Sequence, residues 1–239
     1  MEVFSVFKKH ITFNNRNSLD QGLIINSIDI SPPAPKLITT SVPFSNGIYD
    51  FSTVNTGGIQ VFNNRDIKIK FSFKTLNRNS IEPSYLKHIT WLLNSPRSTL
   101  TISTIAGTIQ AKCIQCSSLS KGLFGGTFTA TFDADPFFDM GEYGDYIWDT
   151  FDFNTDIAEI NSFIVNSGDN IELINEYMDT IPIITASNPV TISMNGKDIE
   201  LLKAENNNLN TMLSNGINKI TIKKANRTLL TFSFRKEFI

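Results

Sequence analysis

Ile67-Lys-Ile-Lys-Phe-Ser-Phe-Lys74 sets Ile67, Ile69, Phe71 and Phe73 against Lys68, Lys70, Ser72 and Lys74 in strict alternation. A period of two marks a strand with one face in a core and the other in water. Toward the C-terminus, Ser80 reads as an N-cap, Pro83 is tolerated in a first turn, and Asn94-Ser-Pro96 stops a helix over 80–94. Tyr85, Leu86, Ile89, Leu92 and Leu93 fall on one helical face, which is expected to pack on the sheet. Trp91 falls off that stripe and reads as an interface anchor or a tryptophan at the core rim, and His88 as a surface residue. Strands follow at 99–105, 108–118 and 127–132, and Asp133-Ala-Asp-Pro-Phe-Phe138 closes the unit.

The rest of the chain attaches to this unit. At 239 residues it allows one medium and one small domain. Nineteen Phe among 41% hydrophobic residues favour strands, so a mainly β protein is expected. Before the central strand come a strand at 3–7, an Asn-rich turn at Asn14-Asn-Arg-Asn17, a strand at 23–30, and the edge or connector Ser31-Pro-Pro-Ala-Pro35. A segment at 37–42 then leads into the turn Pro43-Phe-Ser-Asn-Gly47. Residues 139–150 read as a linker. Beyond them, short apolar segments at 151–153, 161–165, 181–184, 190–194, 199–202, 219–223 and 229–234, separated by Asn195-Gly196, Asn215-Gly216 and Ala225-Asn226, have the spacing of a sandwich. Residues 171–177 suit a strand or a helical turn equally, and 205–210 read as a loop.

Charge is unevenly spread. Residues 122–196 carry 13 Asp and Glu and no Lys or Arg, a block that repels nucleic acid and suits a basic protein surface, a hard cation or plain solvent. No basic-apolar-small signal stands at Met1 and no apolar run is long enough to span a bilayer, so synthesis and folding in a cytoplasm, without a membrane partner, are expected.

Chemistry is sparse. Cys113-x-x-Cys116 has the spacing of a metal or redox pair, but on a strand positions i and i+3 face opposite ways, and no second pair exists. Asp133, Asp135, Asp139 and Glu142 resemble a calcium loop, yet Phe138 and Gly144 stand where an EF-hand needs glycine and glutamate. Gly57-Gly58 lacks a phosphate-loop lysine. No nucleophile and base are paired, so neither an enzyme nor a cofactor is expected.

The order of motifs resembles the distal tail protein family of siphophages. Pro43-Phe-Ser-Asn-Gly-Ile-Tyr-Asp50 is similar to that family's PGxxGxYD turn, Asn64-Arg-Asp-Ile-Lys-Ile-Lys-Phe71 to its arginine-led strand, Ile89-Thr-Trp-Leu-Leu93 to its IxxWL helix end, and Asp135-Pro-Phe137 to its DPxF closure. The resemblance covers residues 1–138 by motif and the remainder by architecture. Phe44 stands where the family has glycine, so a turn of different shape is expected.

The resemblance implies an N-terminal β-sandwich or split-barrel-like domain with one helix over 1–138, a linker over 139–150, and a C-terminal galectin-like β-sandwich over 151–239. It also implies a homo-hexameric ring at the virion tail tip. The ring would join the tail tube protein to the tail-associated adsorption protein, with a receptor-binding protein as a further partner and DNA only in transit through the lumen. Candidate interface residues are Lys68, Lys70, Trp91, Tyr49 and Trp148. The alternative reading is a carbohydrate-binding module, weakened by the scarcity of Trp and Tyr after residue 151.

Overall fold

The computed structural model describes residues 8–143, 160–207, 209 and 211–239. These fall into two compact units, one built from the chain up to Lys36 and from Phe62–Phe138, the other from Leu37–Val61 and Asp139–Phe238. The segment 37–61, expected within the first module, therefore groups with the second. Sequence reading assigns a segment by its neighbours along the chain, whereas this grouping arises from contacts distant in sequence. The expected strand at 3–7 and segment at 151–153 lie outside the described residues, as does Trp148.

Among the described residues, the first unit is a single antiparallel sheet with one α-helix. Its strands are β1 (Ile11–Phe13), β2 (Arg16–Asn17) and β3 (Leu23–Ile30), and, after the inserted hairpin β4 (Thr39–Thr40) and β5 (Tyr49–Asp50), β6 (Arg65–Lys74). Helix α1 (Ile81–Asn94) follows, then β7 (Ser98–Ile102), β8 (Ile109–Cys116), β9 (Ser120–Lys121) and β10 (Gly125–Ala134). The sheet runs β2-β1-β7-β8-β10-β6-β3, with β9 added against β10. The alternation read in β6 is realised, for Ile67, Ile69, Phe71 and Phe73 are buried while Lys68, Lys70 and Lys74 are exposed. β6 lies inside the sheet, paired on both sides along most of its length, so its lysines solvate an outer face and do not guard an edge.

The sheet curls over its own core. Flat strands stand about 4.8 Å apart, so β1 and β10, separated by β7 and β8, would lie roughly 14 Å apart. Phe13 and Phe132 on these two strands instead meet edge to face with ring centroids 5.1 Å apart. At the far end of β10, Gly125 has φ +147°, and a Cβ there would stand 2.0 Å from the Phe73 carbonyl oxygen. Only glycine lets the two backbones approach so closely.

Helix α1 lies on the sheet by a face that includes Tyr85, Ile89 and Leu92 of the expected stripe but is turned away from Leu86 and Leu93. Ile81, His88, Trp91 and Leu92 are buried, with Tyr85 and Ile89 at the margin of the core, whereas Leu86 and Leu93 are 56% and 42% exposed. His88 stacks on Phe128 and packs against Phe73, which corrects its expected surface position. Ser80 is not the cap either, for its backbone is already helical. Asn77 ends an extended stretch, and its Oδ1 accepts from the Ser80 N–H at 3.0 Å and the Ser80 hydroxyl at 2.7 Å, opening a 3-10 turn at Arg78–Ser80.

The second unit contains a β-sandwich. One sheet orders β12 (Ser162–Val165), β19 (Thr228–Ser233), β14 (Ile183–Ala186) and β17 (Ala204–Asn206), and the other β13 (Asn170–Asn175), β18 (Gly216–Lys224), β15 (Val190–Met194) and β16 (Lys197–Leu201). Val165, Ile184, Leu230 and Phe232 from the first sheet share one core with Leu173, Ile192, Met194, Ile220 and Ile222 from the second. The ambiguous segment at 171–177 is thus a strand as far as Asn175, and part of the expected 205–210 loop is the edge strand β17. Strand β11 (Phe138–Glu142) pairs with β20 (Arg235–Phe238), so the first residues of the expected linker are a paired strand. No helix among the described residues is long and apolar enough to cross a membrane.

Candidate interaction surface

The segment 37–61 begins with a hairpin whose tip departs from ordinary backbone geometry. β4 and β5 pair only with each other, Thr39 opposite Asp50 and Thr40 opposite Tyr49. Phe51 N–H donates to the Ile38 carbonyl at 2.8 Å, and Asp50 accepts from the Ser52 hydroxyl and N–H, bonds that hold its carboxyl below the usual range. At the tip, Ser45 N–H donates to the Val42 carbonyl across Pro43-Phe44 at 3.2 Å, and Phe44 has φ +67°. This is the pattern of a type II turn, with proline at its second position and a positive φ at its third. Phe44 itself takes the left-handed conformation that glycine adopts freely.

That conformation is costly for a bulky L-residue, and Phe44 is also fully exposed, as are Ile48 (70%) and Leu37 (62%) in large part. Tyr49, a candidate interface residue, is 47% exposed, and its hydroxyl lies 3.1 Å from the Ser45 hydroxyl. Phe51 and Val54 continue the exposed apolar series. A two-stranded hairpin is marginal alone in water, and an apolar one is a surface lacking its cover.

The other candidate residues behave differently. Lys68 and Lys70 stand exposed on the outer face of β6, opposite Asp29 and Ser27 of β3. Trp91 is only 7% exposed and packs near Phe13, so it is a core residue with little ring surface to offer a neighbour. The exposed Leu86 and Leu93 replace it on the outer side of α1. An unexpected cation is Arg65, buried with its guanidinium 5.3 Å from the Phe138 ring centre and with Nε and one terminal nitrogen lacking hydrogen bonds.

The acidic residues weighed as a calcium loop are otherwise engaged. Arg97 pairs with both Asp133 and Asp135, Asn64 donates to Asp133, Arg235 pairs with Asp139 at 2.6 Å, and Ser233 donates to Glu142 at 2.7 Å. No group of three or more metal-ligating side chains converges among the described residues. The second unit has a recess of about 120 Å³ lined by Thr56, Ile181, Asn195, Lys197, Thr211 and Met212, among others. The lining holds no aromatic ring on which a sugar would stack.

Cys113 and Cys116 overturn the face argument made from spacing. Thr131 and Phe132 are adjacent on β10 but pair with Gln115 and Cys113 on β8, so Ile114 is an extra residue. This bulge turns Ile114 and Gln115 outward together and returns Cys116 to the core side, placing the two Sγ atoms 3.8 Å apart. Both thiols are free. The signal lay in cross-strand register, which the spacing of the two cysteines alone does not reveal.

No family model and no curated protein matches the sequence. Solved structures do match the fold. The SPP1 Dit protein, described as a paradigm of the hub adsorption apparatus in phages infecting Gram-positive bacteria, is similar at a TM-score of 0.61 and 9% identity, over 97% of this chain and 99% of that one. Chains of the phage P2 baseplate in its activated conformation, with calcium and with strontium, align over the same shares at 8% and 9% identity, with TM-scores of 0.37 and 0.35. At such identities the likeness to SPP1 Dit is one of fold, and it runs along nearly the whole of both chains.

Proposed function

We propose that the protein is a structural hub of a long non-contractile phage tail tip, self-associating into a ring of six between the tail tube protein and the adsorption apparatus. The fold shared with SPP1 Dit along nearly the whole chain supports the tail role. The observation that carries self-association is the apolar hairpin, whose tip holds an exposed phenylalanine in a conformation that costs free energy within the protomer. A neighbouring subunit covering that tip would offset the cost by burying the ring. Lys68 and Lys70 supply a polar outer face suited to an acidic neighbour, and the all-acidic 122–196 block would avoid strong attraction to DNA in transit.

Native mass spectrometry of the full chain over a range of concentrations tests the reading. A species at six times the 26.8 kDa protomer mass is expected. A monomer at every concentration, unchanged when the tail tube protein of the same phage is added, rules the ring out.

A further inference from the structure

The bulge in β8 builds a dithiol that the proposed structural role does not use. Cys113 is 2% exposed, Cys116 is half-buried, and their sulfurs are 3.8 Å apart in the reduced state. A disulfide needs about 2.05 Å between sulfurs, and the two thiols already share the core-facing side of the strand. The strand is anchored just beyond the pair, where the Tyr85 hydroxyl of α1 donates to the Ser117 carbonyl at 2.8 Å. The two thiols are also unequal. The hydrogen bond from Cys113 pulls the Cys116 thiol below its ordinary value against the opposing effect of burial, while that bond and burial together hold Cys113 far above.

We propose that Cys113 and Cys116 form a thiol–disulfide exchange site, with Cys116 as the attacking thiol and Cys113 as the resolving thiol, for small disulfides of the glutathione class. Cys116 thiolate attacks one sulfur of the oxidised disulfide, and one glutathione thiolate leaves. Cys113 then gives up its proton and attacks the Cys116 sulfur, expelling the second glutathione, which takes a proton. Two thiols lose two electrons in all, and one disulfide is reduced to two thiols. A reducing cytoplasm keeps the pair open, and oxidising surroundings close it across the bulge.

The test treats reduced, desalted full-length protein with oxidised glutathione under native conditions and reads intact mass and peptide maps. Wild type is expected to lose two hydrogens without an adduct, with Cys113 and Cys116 linked. Cys113→Ser and Cys113→Ala are expected to retain one glutathione on Cys116, and Cys116→Ser to stay unmodified, each variant checked for native circular dichroism. The wild-type result decides alone if the variants fail to fold. Wild type that stays reduced, keeps a stable glutathione adduct or links only between chains overturns the proposal, as does equal labelling of Cys113→Ser and Cys116→Ser.

Discussion

Phe13 and Phe132 stand on strands with two others between them in the sheet order yet meet edge to face at 5.1 Å, and this contact draws the sheet over its own core. Both rings are fully buried. Replacing either by alanine is expected to cost about 3–5 kcal/mol through lost transfer energy and an unfilled cavity. The double variant should lose less than the two single costs together, by about 0.5–1.5 kcal/mol, because each single change already forfeits the ring–ring contact. Urea unfolding of the four proteins measures the cycle, and strict additivity would show that the rings are neighbours without coupling.

Gly125 is required for a different reason, which is backbone approach and not packing volume. An alanine methyl would meet the Phe73 carbonyl oxygen at 2.0 Å on a backbone at φ +147°. Gly125→Ala is expected to destabilise by on the order of 3 kcal/mol, at the upper end of ordinary point substitutions. Gly122→Ala, where the nearest atom is 3.5 Å from the added carbon, should stay within about 0.5 kcal/mol. Unfolding midpoints that fall equally for both variants would refute the close-approach account.

What could be read from the chain divides along the same physical line. β6 and β15 were legible because a half-buried strand writes its period into its own residues, and Val190–Met194 has the expected bounds. The α1 face was legible only in part, at Tyr85, Ile89 and Leu92. Its stripe of leucines competes with an amphipathic His and Trp, and only the aromatic rings of β6, β10 and β1 decide that His88 and Trp91 turn inward. The cysteine pair and the allegiance of 37–61 depend on register and contacts between segments far apart in sequence. At the tip, Pro43–Gly47 was recognisable as a turn with a positive φ at its Asn-Gly, which Gly47 has, but that Phe44 would also bear a positive φ was not written in its side chain.

The burial of His88 has a pH consequence. Desolvation first, and the neighbouring Lys87 second, push its pKa below the ordinary histidine value. The unfolded chain therefore binds a proton at a higher pH than the folded one, and stability falls as pH drops below about 6.5 toward the depressed folded value. Wild type should show a falling urea midpoint between pH 7.5 and pH 5.5, the slope shrinking in His88→Phe, which keeps a ring against Phe73 and Phe128. An identical slope in both proteins would assign the dependence to other groups.

The cap of α1 offers a direct contrast between the expected and the observed residue. Asn77 accepts two hydrogen bonds from Ser80, whereas the Ser80 side chain caps nothing. Asn77→Ala is expected to cost about 1 kcal/mol, and Ser80→Ala clearly less, since the latter leaves the Ser80 N–H bonded to Asn77. The reverse order in thermal or urea unfolding would restore Ser80 as the cap.

Phe44 separates protomer stability from assembly. Glycine at this position removes a left-handed cost of about 1–2 kcal/mol and returns roughly 0.5–1 kcal/mol to the unfolded chain as entropy, so Phe44→Gly should leave protomer stability within about 1.5 kcal/mol of wild type. The exposed ring contributes no burial within the protomer, and any loss on its removal belongs to a partner. If the hairpin tip seats in a neighbouring subunit, the ring should dissociate at protein concentrations at least about tenfold higher, the loss expected of an aromatic anchor. Tyr49→Ala, lower on the same hairpin, should weaken assembly in the same direction with a smaller effect. Analytical ultracentrifugation reads both variants, and an unchanged association constant in Phe44→Gly would mean that the strained tip serves some contact other than the one between subunits.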